Sequence, residues 1–215
     1  MDRETRLKKQ GTWFQKPKKI KTWQNHIFPI ILILSLVCYL HSYSYAITPS
    51  YIQYMDIQCT EKAKVLIDGK DVEDTSQRNV YTHGLNSESP NDEVYIEILL
   101  KVMNNCLKEY TKTYSYIREC SPQDINLLKY KKGNFYKTHI DSFHTVNRQL
   151  SFIINLNEGY KGGDIIFFDP HTKEPTSKTS LNTGDLLMFP SNFLYPHGVT
   201  PITKGVRYSC VSWYA

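Results

Sequence analysis

His139, Asp141 and His197, with Arg207 ten residues beyond the last, are the residues whose types and spacing suit chemistry. Two imidazoles and one carboxylate can occupy one face of an octahedral metal and leave three positions open, as non-heme Fe(II) sites require. Along a strand the side chains at i and i+2 share a face, so His139-Ile140-Asp141 supplies two donors from one strand. The third donor, His197, must come from a strand distant in sequence but adjacent in space. Arg207 presents a planar, permanently charged fork that suits a carboxylate, which a bidentate organic acid would bring.

A bare His-x-Asp pair occurs by chance on ordinary strands, so the flanks decide its meaning. The stretch Tyr130-Lys-Lys-Gly133-Asn-Phe-Tyr136-Lys-Thr-His139-Ile-Asp141 reads as strand, turn at Gly133, strand. Downstream, Gly184-Asp-Leu-Leu-Met-Phe-Pro190 leads to His197-Gly198-Val199-Thr200-Pro201 and closes on Lys204-Gly205-Val206-Arg207-Tyr208-Ser209. In order and spacing these segments resemble the 2-oxoglutarate and Fe(II)-dependent dioxygenase superfamily, and within it the prolyl 4-hydroxylase-like branch. The resemblance covers roughly residues 120 to 214.

That resemblance implies His139, Asp141 and His197 as Fe(II) ligands, 2-oxoglutarate as cosubstrate, O2 as oxidant and ascorbate as an accompanying reductant. It implies that Arg207 grips the distal carboxylate of the oxo acid, with Ser209 on the same strand face and Tyr130 nearby. Many relatives carry a tyrosine in the strand after the first two ligands. Asn155 stands at that place here, and a shorter amide would take over its cosubstrate contact. Tyr136, Arg148 and Trp213 match positions that line the peptide groove in prolyl hydroxylases. The function implied is hydroxylation of a peptidyl residue, proline first, with 2-oxoglutarate converted to succinate and CO2. Rival readings are a hydroxylase of another side chain or small molecule, a catalytically silent binding module of the same fold, and a metal-binding cupin without an oxo acid. His144 and His171 fall in loop and turn sequence and receive no role.

The elements expected to position these residues are mostly short strands. Beyond Ser121-Pro122 the candidates are Ile125 to Lys131, Phe135 to Ile140, Gln149 to Asn157, Asp164 to Phe168, Asp185 to Phe189 and Val206 to Tyr214. Asn157-Glu-Gly159, Gly162-Gly163-Asp164 and Asn182-Thr-Gly184 punctuate them. The fold class is mainly β with flanking helices, around a double-stranded β-helix, or jelly-roll, core that brings distant strand ends to one mouth. Ser89-Pro90-Asn91-Asp92 is a helix start, with Ser89 as N-cap and Pro90 at the first helical position. Val94, Ile98, Val102, Cys106 and Tyr110 then recur at i+4, flanked by Leu99, Met103 and Leu107, which predicts a helix from about 90 to 110 with one face on a core.

Charge and hydropathy divide the chain into 1–26, a basic cytoplasmic tail; 27–47, a transmembrane signal anchor; 48–88, a linker and N-terminal support; and 89–215, the dioxygenase domain. Up to His26 there are eight Lys and Arg against Asp2 and Glu4, a net of +6, while the whole chain is +5, so everything after His26 sums to about −1. A near-neutral domain has no electrostatic footprint for nucleic acid. Basic residues lie only on the N-terminal side of the apolar run, which by the positive-inside rule places the domain across the membrane, in the endoplasmic reticulum lumen or another extracytoplasmic space, as a single-pass type II protein. Cleavage after Ala46 in Ser44-Tyr45-Ala46 is the alternative. Cys59, Cys106, Cys120 and Cys210 remain outside the apolar run, either paired in one of three ways or buried as small hydrophobes. Oligomeric state is not legible in the sequence.

Overall fold

The computed structural model describes residues 32–35, 49–67 and 70–215, with residues 32–35, 49 and 50 described by their backbone alone. In chain order the elements are β1 (Leu32–Ser35), α1 (Pro49–Gln58), β2 (Glu61–Lys62), β3 (Val65–Ile67), β4 (Lys70–Val72), β5 (Arg78–Asn79) and β6 (Tyr81–Gly84). Then come α2 (Pro90–Thr113), β7 (Asn126–Tyr130), β8 (Phe135–His139), β9 (Leu150–Asn155), β10 (Lys161–Gly162) and β11 (Ile165–Phe168). The chain closes with β12 (Pro175–Thr179), β13 (Asp185–Pro190), β14 (His197–Val199), β15 (Ile202–Lys204) and β16 (Arg207–Tyr214).

Two antiparallel sheets carry the site. The larger runs β1-β13-β9-β16-β7-β6-β2 and the smaller β12-β11-β14-β8-β5. Sequence neighbours are seldom sheet neighbours, which is the crossing pattern of a jelly roll. Strand β9 shows how the layers are specified. Leu150, Phe152 and Ile154 join the helices in the main core, alongside Leu99, Val102, Met103, Cys106 and Tyr110 of α2. The alternate residues Ser151, Ile153 and Asn155 therefore point away from the helices, toward the space between the sheets. Deleting a buried ring such as Phe152 costs about 3–5 kcal/mol, so this helix-facing layer anchors the strand whose other face holds the site.

Helix α2 starts where its sequence says. Ser89 caps it, its side chain accepting from the Asp92 N–H at 3.4 Å, and Pro90 opens it. The buried face is Leu99, Val102, Met103, Cys106 and Tyr110, while Val94 is exposed. The expected stripe therefore holds from its third member onward and turns away from the core at the N-terminal end.

The described residues of 48–88, expected as a linker and N-terminal support, pack onto the sheets. Helix α1 buries Tyr51 and Met55 in the main core, β6 pairs with β7, and β5 pairs with β8 beside the site. Its polar composition hid this because the segments are only two to four residues long in β2 to β6, too short for a period to show.

Leu32–Ser35, four residues of the expected anchor, form β1 paired with β13, in the sheet and not in a helical span. The basic tail and the rest of 27–47 lie outside the described residues. Among the described residues no helix is long and apolar enough to cross a membrane. Cys59, Cys106, Cys120 and Cys210 are all free thiols. Burial pushes the Cys59 and Cys106 thiols up to about 12, which keeps them protonated and inert.

Candidate active site

His139 ends β8 and His197 begins β14, and the register pairs the two histidines directly across the smaller sheet. Asp141 follows His139 by two residues, just past the strand end. The three residues offer ligand atoms that all lie within 4.8 Å of one another. His139 Nε2 is 3.5 Å from one Asp141 oxygen and His197 Nε2 is 3.5 Å from the other.

The ring orientations follow one rule. His139 Nδ1 lies 2.9 Å from the Lys137 carbonyl and His197 Nδ1 lies 3.1 Å from the Tyr195 carbonyl, each oxygen two residues upstream of its histidine. A carbonyl can only accept, so Nδ1 carries the proton and Nε2 is left with a lone pair facing Asp141. Stacking fixes the planes: Tyr136 lies on His139 with centroids 3.6 Å apart, and Phe189 meets His197 edge-on at 4.7 Å.

Asp141 is oriented from below by Ser151 of β9, whose hydroxyl donates to it at 2.5 Å and lies 2.8 Å from the Ser191 hydroxyl. Burial opposes ionisation of Asp141. The neighbouring His197 and His139, with Ser151, outweigh that and hold the carboxyl well below the usual carboxylate range. Burial, helped by His139, pushes His197 down to about 4, so its imidazole is neutral at pH 7. An ionised carboxylate beside a neutral imidazole is the protonation state a divalent cation needs of its ligands. These three side chains fit Fe(II).

The second corner of the site is built around Arg207, the first residue of β16. It is only 2% exposed, yet no carboxylate pairs with it among the described residues. Asn155 accepts from its Nε at 3.1 Å. Tyr130, its partner across β7, sets its ring 5.3 Å from the guanidinium carbon. Ser209 lies two residues on, on the same strand face, and its buried hydroxyl has no hydrogen-bond partner. A buried cation without an anion beside an orphaned hydroxyl is costly unless a ligand completes it. The donor set suits a carboxylate, so the residues present fit the distal end of 2-oxoglutarate.

The Asn155 side chain is engaged by the protein. Its amide nitrogen donates to the Asn157 and Leu181 carbonyls at 2.7 and 2.9 Å, and its oxygen accepts from Arg207 and from the Tyr160 hydroxyl at 3.0 Å. All its polar capacity is spent on the protein. It braces Arg207. Gly163 completes the cradle: at φ +71°, a Cβ there would sit 2.4 Å from Ile202 Cδ1 and 2.9 Å from Arg207 Cδ.

Between the sheets lies a cavity of about 410 Å³ lined by the triad, Tyr130 and Tyr136, with Arg148 and Trp213 also on its wall. Seven of the ten residues expected from sequence line this cavity, and the other three, Arg207, Ser209 and Asn155, form the neighbouring corner behind Tyr130. His144 and His171 are exposed in loops away from the donor cluster. Ser151, Ser191, Tyr160, Gly163 and Arg78 were missed. Gly163 sat in a turn signal, but nothing local marks a serine as the partner of a carboxylate ten residues away.

Residues 125–215 match the 2OG-Fe(II) oxygenase superfamily. A PKHD-type hydroxylase of Idiomarina loihiensis is 28% identical over 121 residues, 54% of this chain and 53% of the relative. Prolyl 3-hydroxylase 3 of Homo sapiens is 33% identical over 67 residues, 31% of this chain and 9% of that protein. The chain thus spans about half or less of these curated relatives. In fold it is similar to a prolyl hydroxylase from Trichoplax adhaerens in complex with a hypoxia inducible factor oxygen degradation domain peptide. That likeness has a TM-score of 0.61 at 18% identity and covers 79% of this chain and 78% of that one. By ligand-bearing sequence, relatives and jelly-roll fold together, residues 125–215 match the 2OG-Fe(II) oxygenase superfamily, and the relatives they resemble include prolyl hydroxylases.

Proposed function

We propose that the protein hydroxylates a peptidyl residue, proline first, using Fe(II), 2-oxoglutarate and O2, with ascorbate as accompanying reductant. One observation carries this reading. A buried guanidinium without an anion and an orphaned serine hydroxyl lie on β16 opposite Tyr130 and Leu128, which line the cavity that holds the two-histidine, one-carboxylate cluster. A metal-only domain would leave Arg207 without a reason to be buried.

Iron held by His139, Asp141 and His197 would supply the chemistry in which O2 is the oxidant, 2-oxoglutarate gives two electrons as it becomes succinate and CO2, and one oxygen atom enters the substrate C–H bond while the other enters succinate. The protein's share is geometry. Arg207 and Ser209 take the distal carboxylate, and Tyr130 closes that end. Ser151 keeps the Asp141 carboxylate aimed between the two imidazoles. Tyr136, Arg148 and Trp213, on the cavity wall, bind the peptide. The prolyl 3-hydroxylase kinship makes carbon 3 of proline as natural a target as the carbon 4 of the prolyl 4-hydroxylase resemblance.

The test is mass spectrometry of proline-containing peptides incubated with Fe(II), ascorbate and 2-oxoglutarate. A gain of one oxygen on proline, matched by succinate formed, supports the reading, and amino-acid analysis assigns the carbon. Succinate formed only with a gain of oxygen elsewhere moves the target to another residue.

The type II membrane placement in the endoplasmic reticulum lumen, or another extracytoplasmic space, is likewise a proposal, resting on the one-sided basic charge beside 27–47. It competes with the β1 pairing for Leu32–Ser35. Protease added outside sealed microsomes trims the tail and spares residues 60–215 if the anchor forms; digestion of the domain refutes it.

A further inference from the structure

The cavity wall around the metal cluster holds two arginines, Arg78 and the Arg148 already given to the peptide, whose charge the reading so far does not use. Arg78, on β5, pairs in register with Tyr136 of β8, and its guanidinium carbon stands 4.7 Å from the centre of that ring. The same ring stacks on His139. The Arg148 guanidinium carbon lies over the Trp213 ring, 3.6 Å from its centre. Both arginines line the cavity that contains the triad.

Their partners are all neutral. Arg78 Nη1 donates to the Lys64 carbonyl at 3.0 Å, and its buried Nε has no partner. Arg148 Nε donates to the Gln123 side-chain oxygen at 3.4 Å. Glu61, Asp71 and Asp124 share the cavity wall, but none forms an ion pair with either arginine. Burial depresses the Arg148 guanidinium, Asp141 and Asp124 oppose this, and Arg78 adds to the depression, so the two cations feel each other. Stacking on Tyr136 and Trp213 holds both planar forks in place, which lowers the entropy a ligand must overcome.

We infer that Arg78 and Arg148 form a second anion clamp, beside the metal and separate from Arg207, that selects a substrate bearing a carboxylate next to the residue to be hydroxylated. This rests on the reading of the protein as a peptide hydroxylase and narrows its substrate class. The carboxylate belongs to an acidic side chain or to a free chain terminus, and the two sources are separable. An orphaned donor, two guanidinium groups without an ion-pair partner and aromatic supports on one cavity wall are what recognition of an anion requires, whereas a neutral substrate would leave both without one.

The test uses the Fe(II)- and 2-oxoglutarate-loaded protein and capped proline peptides that differ only in a flanking Glu or Gln. Both binding and hydroxylation are measured, with matched Gln peptides ending in a free or an amidated carboxyl group. The expected result is binding of the Glu or free-terminus peptide about tenfold or more tighter than its neutral twin, because charge-assisted bonds exceed neutral ones. Arg78→Gln and Arg148→Gln each collapse that ratio toward one. A folding defect lowers both members of a pair together and leaves the ratio alone. Equal binding of charged and neutral twins, absence of binding by either, or a preference that survives the double substitution overturns the clamp. Selective binding of the acidic peptide without oxygen transfer to proline upholds the clamp and faults the proline assignment instead.

Discussion

The metal corner and the Arg207 corner lie along the same strands, yet they are held in opposite ways. Strand β9 places Ser151 under Asp141 and, four residues on, Asn155 behind Arg207. At ~3.3 Å per residue those two positions are ~13 Å apart on one face. Strand β16 runs the other way, with Trp213 opposite Ser151 and Ser209 opposite Asn155. At the metal corner every second-layer bond goes to backbone carbonyls or hydroxyls that cannot leave. At the Arg207 corner the charge is braced on one side only, by Asn155, Tyr160 and the space above Gly163, and its other side waits for an anion. One corner is complete as a set of ligands; the other is complete only with its guest.

Removing a metal donor should have the largest effect. Asp141→Ala or His197→Ala should abolish Fe(II)-dependent 2-oxoglutarate turnover, not merely grade it, since losing even a supporting group around a metal weakens a site by about tenfold or more. Circular dichroism checks that the fold persists. Substantial turnover by His197→Ala would erase the distinction between the corners.

Arg207→Ala comes next and should act on one corner alone. Loss of a charge-assisted contact of ~1.5–3 kcal/mol raises the apparent 2-oxoglutarate constant by about ten- to a hundredfold. Iron affinity, titrated separately, should stay. Arg207→Lys keeps charge but loses the fork and should fall between. An unchanged 2-oxoglutarate constant in Arg207→Ala would return the protein to the metal-only cupin reading.

Gly163→Ala tests the brace from behind. The added methyl meets Arg207 Cδ and Ile202 and demands φ +71° of an L residue, so it should destabilise by ~1–2 kcal/mol and raise the 2-oxoglutarate constant without touching the metal. Melting temperature and cosubstrate titration read the two effects. The smallest changes belong to Ser209→Ala and Tyr160→Phe, each ~1 kcal/mol for a neutral hydrogen bond, seen as a few-fold rise in the same constant. A larger effect from Tyr160→Phe than from Arg207→Ala would mean that the tyrosine, not the arginine, holds the cosubstrate.

Local sequence sufficed where the rule is local. The i, i+2 relation in His139-Ile-Asp141, the Ser89-Pro90 helix start and the main strands from Asn126 to Tyr214 all follow from alternation, capping and turn residues a few positions apart. The jelly roll and the donor set were legible for that reason, once the spacing to His197 and Arg207 was read against a known pattern. Tertiary structure decided the rest. Only sheet register puts His197 opposite His139, Ser151 beneath Asp141 and Arg78 on Tyr136. Only packing made Asn155 a brace for Arg207, because its four hydrogen-bonding positions are filled by groups between 2 and 52 residues away. Short strands such as β2 and β5 carry too few residues to show a period, so their place in the cavity wall came from the partners they hydrogen-bond. A side chain's type and spacing limit the chemistry it can do; the strand across from it determines which part of that chemistry it performs.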